Sequence, residues 1–111
     1  MRLSEIIELK RDRKPNEVEL TQHGAPSGRV RTVYAKIGKE LADKAVAADL
    51  RLSCEILRTN EVAIYGRLPS WNEDDEIVEI AVNGPANPEE LTPIQATEKI
   101  VKELLRIKGE S

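Results

Sequence analysis

Strict alternation of apolar and polar residues occupies the middle of the chain. In DLRLSCEI (49–56), Leu50, Leu52, Cys54 and Ile56 fall on one side, with Asp49, Arg51, Ser53 and Glu55 on the other. A two-residue period of this kind marks a strand with one face in a core. VAIYGRL (62–68) repeats it with Val62, Ile64 and Leu68 inward, and EIVEIAV (76–82) with Val78, Ile80 and Val82 inward. RTNE (58–61) is a turn between the first two. Three such strands on short connections predict an antiparallel meander.

A longer period flanks them. Val30, Val33, Tyr34, Ile37, Leu41 and Ala45 recur at three- and four-residue steps, which predicts a helix from Arg29 with Ser27 as its N-cap. Gly38 falls inside that run, where it costs about 1 kcal/mol relative to alanine. Near the C-terminus, Thr92-Pro93-Ile94-Gln95 matches a capping box with proline at the first helical position. Ile94, Thr97, Ile100, Val101, Leu104 and Leu105 then form one stripe, and Gly109 is a stop. Glu98–Lys102 and Lys99–Glu103 pair four residues apart on the wet side.

The front of the chain is less regular. Residues 4–12 predict a short helix, with Leu3, Ile6 and Ile7 together, and Pro15 ends whatever precedes it. EVEL (17–20) predicts a brief edge strand, and TQHGAPSG (21–28) has the composition of a turn. The expectation is therefore an N-terminal appendage over 1–28 followed by an α-β-β-β-α domain over 29–111. That domain is a two-layer α+β unit: an antiparallel meander of three strands, or four, with two amphipathic helices on one face. The order helix-strand-strand-strand-helix is similar to that of double-stranded RNA-binding domains. In that family, phosphate contacts come largely from a lysine-rich start of the last helix. Here that start reads PEELTPIQATEK, which is acidic, and the chain is not assigned to the family.

Composition narrows the core. The chain has 111 residues, no Phe and one Trp, so Leu, Ile, Val and Ala must fill its interior. The net charge of −3 offers no overall attraction to nucleic acid or an anionic membrane. Charge is nevertheless uneven: residues 1–39 hold nine Lys/Arg against five Asp/Glu, and residues 40–111 eight against fifteen. A single cysteine closes no intrachain disulfide, and MRLSEIIELKRDRKP has no apolar stretch of signal-peptide length. The expected compartment is the cytoplasm, with no membrane contact.

Few residue sets carry chemistry. His23 and Cys54 stand alone, so neither a zinc ligand set nor a nucleophile–base pair is expected, and no cofactor is implied. Glu73, Asp74, Asp75 and Glu76 lack calcium-loop spacing. GAPSGR lacks the end of a phosphate-binding P-loop. No catalytic residue is assigned, and the chain is read as a binding domain rather than an enzyme.

Two surfaces compete for the binding role. Opposite the core side, Ala63, Tyr65, Arg67, Ile77, Glu79 and Ala81 alternate with the inward set, joined by Arg51 and Ser53. Tyr and Arg are enriched where proteins meet partners. Trp71, in LPSWNEDDEIVEI (68–80), is either a lid on a core short of aromatics or an anchor rimmed by acids. Trp71, Tyr65, Arg67 and Ile77 are the expected contact residues for a protein partner, with a homodimer through the open sheet face the main form. The alternative is nucleic-acid or anion binding by Arg11, Arg13, Lys14, Ser27, Arg29 and Arg31, drawing on a helix start at residue 29.

Overall fold

The structure, a computed structural model, describes residues 12–23, 30–58, 61–72, 76–82 and 91–110. The chain runs β1 (Glu17–His23), β2 (Arg31–Lys36), α1 (Lys39–Ala47), β3 (Arg51–Arg58), β4 (Glu61–Arg67), β5 (Val78–Val82) and α2 (Pro93–Glu110). The five strands form one mixed sheet in the order β2-β1-β3-β4-β5. β1 pairs antiparallel with β2 and parallel with β3, and the pairs β3–β4 and β4–β5 are antiparallel.

This overturns the expected meander of three or four strands. β3, β4 and β5 do form the predicted antiparallel series, and their alternation holds except that Ile56, expected inward, is 39% exposed beside a register irregularity at the end of β3. The sheet continues beyond β3, however, through β1 and then β2. EVEL, paired with β2, is therefore the first part of an interior strand rather than an edge, since the same strand pairs with β3 at Thr21, Gln22 and His23. The helix expected from Arg29 is also wrong, because residues 31–36 are β2. Val33, Ala35 and Ile37 are inward at a two-residue period, while Thr32 and Tyr34 point away from the core, and β-branched and aromatic residues suit a pleated surface. With two strands directly before the first described helix, the similarity in element order to double-stranded RNA-binding domains disappears.

Gly38 marks where the period changes. It is the N-cap of α1, with φ 95° and ψ 148°, a conformation open essentially to glycine alone. Ahead of it, the Asn16 carbonyl accepts from Ile37 N–H at 3.0 Å and Gly38 N–H at 3.2 Å, tying the entry of β1 to the β2–α1 joint. At its other end α1 closes with a Schellman motif. Asp49 takes the left-handed conformation (φ 53°), Asp49 N–H bonds the Val46 carbonyl at 3.0 Å, and Leu50 N–H bonds the Ala45 carbonyl at 3.1 Å.

α2 begins as its sequence predicts. Gln95 N–H donates to Thr92 Oγ1 at 3.1 Å, and Thr92 N–H donates to Gln95 Oε1 at 3.0 Å, satisfying two otherwise orphaned donors. Of the predicted stripe, Thr97, Ile100, Val101 and Leu104 are essentially inaccessible, joined by Ala96, while Leu105 is half-buried and Ile94, in the first turn, is 43% exposed. The Thr97 hydroxyl is satisfied by the Pro93 carbonyl at 2.8 Å. α2 lies over β4, β5 and β2 and touches α1, which packs on β1, so both helices cover one face of the sheet. Val18, Leu20, Ala35, Leu52, Cys54, Ile64 and Val82 meet them from below.

α2 can approach β4 closely because Gly66 lies beneath it. A Cβ at that position would sit 2.8 Å from Leu52 Cδ2, 2.9 Å from Leu104 Cδ1 and 3.1 Å from Ile100 Cγ2. Glycine in this strand interior is a packing requirement rather than a weak point.

Candidate functional site

The face of the sheet away from the helices can be built row by row from the strand registers. Thr21 of β1 lies opposite Thr32 of β2 and Ser53 of β3, Ser53 opposite Tyr65 of β4, and Tyr65 opposite Glu79 of β5. This central row carries hydroxyl groups closed at one end by a carboxylate. On one side lie Tyr34 and Glu19, which pair, then Arg51 and Arg67, which pair, with Ile77 just before β5. On the other side lie His23 and Glu55, which pair, then Ala63 and Ala81, with Val30 just before β2. The face thus has a basic end over β3 and β4 and an acidic position at Glu55.

Individual side chains on this face are half-buried to exposed, with one exception. Ala63 is 1% exposed although it points away from the helices and stands outside the core cluster. Ile77 and Val30, at 47% and 59%, are among the most exposed large apolar residues described. The Tyr65 phenol is pushed above its ordinary range first by burial and then by the neighbouring Glu55 carboxylate, with Cys54 and Glu79 adding to it, while a side-chain hydrogen bond with Ser53 acts against the rise. Arg51 reaches Asp49 at 3.0 Å, and both side chains remain more than half exposed, so this ion pair adds little stability.

Of the residues expected to contact a partner, the structure brings together Tyr65, Arg67 and Ile77. Trp71 is elsewhere. It follows a turn in which Trp71 N–H bonds the Leu68 carbonyl at 3.0 Å, and it packs half-buried against the core cluster between sheet and helices. Sequence reasoning missed Thr21, Thr32 and Tyr34 as members of the face, because it assigned β2 to a helix and ended β1 at Leu20. The alternation of Thr32, Tyr34 and Lys36 against Val33, Ala35 and Ile37 was the available signal.

The anion-binding set falls only partly within the described residues. Arg11, Ser27 and Arg29 lie outside the described residues, as do positions 4–11 of the helix expected over 4–12 and the acids Glu73, Asp74 and Asp75. The helix expected to run on from residue 29 is not there to lend a positive dipole end to Arg31, which opens a strand. Arg13 serves the turn before β1 instead. Its Nη1 donates to the Glu17 carbonyl at 2.8 Å and to the Lys14 carbonyl at 3.0 Å. The Glu17 carboxylate, in a residue 4% exposed, accepts from Lys14 N–H at 3.0 Å.

Cys54 is buried in the core as its alternation predicts, and burial pushes its thiol up, away from the reactive thiolate. Among the described residues, no group of three His, Cys, Asp or Glu side chains is placed to hold a metal. A groove of about 610 Å³ lies where α1 meets α2, on an apolar floor of Ile37, Leu41 and Leu105. Its rim is nearly balanced in charge: Lys39 pairs with Asp43 at 2.9 Å and Lys44 with Glu40 at 3.5 Å, while Lys102 and Glu98 complete it. A balanced, open rim selects no charged ligand. No described helix is long and apolar enough to cross a membrane. No family model matches this chain, and neither the curated proteins nor the solved structures contain a significant match to it.

Proposed function

We propose that this protein is a non-enzymatic binding domain that works through the sheet face its described helices leave uncovered, and that its partner is a second copy of itself. The observation that supports this reading is one-sided coverage: α1 and α2 both lie on the same face, and five strands present Tyr65, Arg67, Ile77, Tyr34 and Glu55 on the other. Half-buried tyrosine and arginine beside exposed aliphatic side chains have the composition of an interface centre. Strand spacing and rise give this patch a footprint of roughly 24 by 20 Å. That is below the roughly 800 Å² per partner of a standard interface, so association is weak, in the micromolar range or above.

Light scattering after size exclusion tests the reading at protein concentrations up to several hundred micromolar. The wild type should move from its chain mass of 12.4 kDa toward twice that value as concentration rises. Tyr65→Ser, with its fold verified by circular dichroism, should remain at the chain mass. A wild type that stays monomeric, or a Tyr65→Ser variant that pairs equally well, refutes the proposal.

A further inference from the structure

The charges on the outer face determine how two copies meet, an inference that rests on the self-association proposed above. Two-fold axes lying in the plane between stacked sheets can run along the strands or across them. An axis along β3 would set Arg51 on the partner's Arg51 and Glu55 on the partner's Glu55, placing like charges in contact. An axis across the strands, through the Thr21–Ser53–Tyr65 row, reverses the strand direction and exchanges the two flanking rows. Isologous contact of this kind makes each flanking residue meet the mirror position on its own strand, in the opposite row.

We infer that the protein pairs about this second axis, with Arg51 of each copy meeting Glu55 of the other. The remaining positions follow from the same rotation. Glu19 faces the second copy's His23, half-buried Tyr34 and exposed Val30 come together, and Ile77 lies over Ala81. Arg67 comes over Ala63, beside the second copy's Glu55. Tyr65 stacks on its own counterpart at the axis. Only Glu79 meets a like charge, and it does so on the rim strand β5, where solvent screens it. Ala63 is already closed off within one chain, so the contact over that strand falls to its taller neighbours Glu55 and Tyr65. The Arg51–Asp49 ion pair is exposed and is readily exchanged for the intermolecular one.

A charge-swap experiment decides between the axes. Arg51→Glu and Glu55→Arg each put like charges at both symmetry-related contacts of a homodimer, so each variant alone should associate at least about tenfold more weakly than wild type. Mixed in equal amounts they restore both attractive contacts, and the heterodimer should recover wild-type affinity by sedimentation velocity. The recovery should fade as salt is raised. If wild type associates but neither variant weakens it, or the mixture stays monomeric while both variants are folded, the axis is wrong and self-association itself stands. If wild type does not associate at any concentration, the proposed function and this geometry fall together.

Discussion

Replacing Gly66 by alanine adds one methyl group where α2 crosses β4, and the cost can be worked from the distances. The added carbon would lie 2.8–3.1 Å from three side-chain carbons of Leu52, Leu104 and Ile100. Unstrained carbon contacts lie at about 3.5–4.0 Å, so each neighbour must retreat by about half an ångström or more. The atoms are side-chain ends, which can yield, but they belong to buried residues. Overpacking of this kind costs about 1–3 kcal/mol. Alanine also restricts the unfolded chain, which returns about 0.4–1 kcal/mol. The net expectation is a loss of about 1–2 kcal/mol, read as a lowered urea midpoint at unchanged slope and a melting temperature lower by about 4–8 °C per kcal/mol. Leu104→Ala alone leaves a cavity costing about 2–5 kcal/mol. Combined with Gly66→Ala, it makes room for the new methyl group, so the double variant should be more stable than the sum of the two losses by about 1 kcal/mol. An unchanged or raised stability for Gly66→Ala, or strict additivity with Leu104→Ala, would refute this packing of α2 on β4.

Three further outcomes follow from local geometry. Gly38→Ala meets no atom within 4 Å yet forces alanine to φ 95°, so it should cost about 1–3 kcal/mol by urea unfolding, with no relief from trimming neighbours; a neutral result would remove the strained α1 entry. Thr92→Ala breaks the reciprocal cap of α2 and should cost about 1 kcal/mol, and stability equal to wild type would contradict the capping bonds. Burial and Glu55 raise the Tyr65 pKa above the ordinary 10.0, so the folded state holds this proton longer than the unfolded chain does. The group's contribution to stability is full below pH 10.0 and is lost as pH rises through the folded value. In a tyrosinate absorbance titration of folded protein, Tyr65→Phe should remove a late-ionising component, and its persistence would show that another group produces it.

Legibility in the sequence followed how many physical constraints overlapped at each segment. α2 was plain because a capping box, a proline at the first turn and a long apolar stripe agree from Thr92 to Leu105. β3, β4 and β5 were plain because their alternation is strict. Residues 30–37 satisfy both periods: Val30, Val33, Tyr34 and Ile37 fit a helix face, while Val33, Ala35 and Ile37 fit a strand. Gly38 was the arbiter, and its meaning lies in a positive φ that no spacing reveals. β1 was underestimated because its apolar pattern stops at Leu20 while its pairing continues through the polar Thr21, Gln22 and His23. The parallel β1–β3 pairing was not legible at all, since no local pattern orders strands within a sheet. On the outer face, Tyr65, Arg67 and Ile77 were found from alternation alone, whereas their β1 and β2 neighbours emerged only once the strand order was known. Trp71 was singled out as a rare side chain, but its contact with the core depends on where the turn after Leu68 directs it.

Amide shifts of the uniformly ¹⁵N-labelled full chain, followed by two-dimensional NMR on serial dilution, test the account most directly. Self-association through the outer face predicts concentration-dependent shifts at Thr21, Ser53, Glu55, Tyr65 and Arg67, with α1 and the exposed side of α2 unmoved. Spectra that do not change from hundreds to tens of micromolar, or changes confined to the helices, would contradict it.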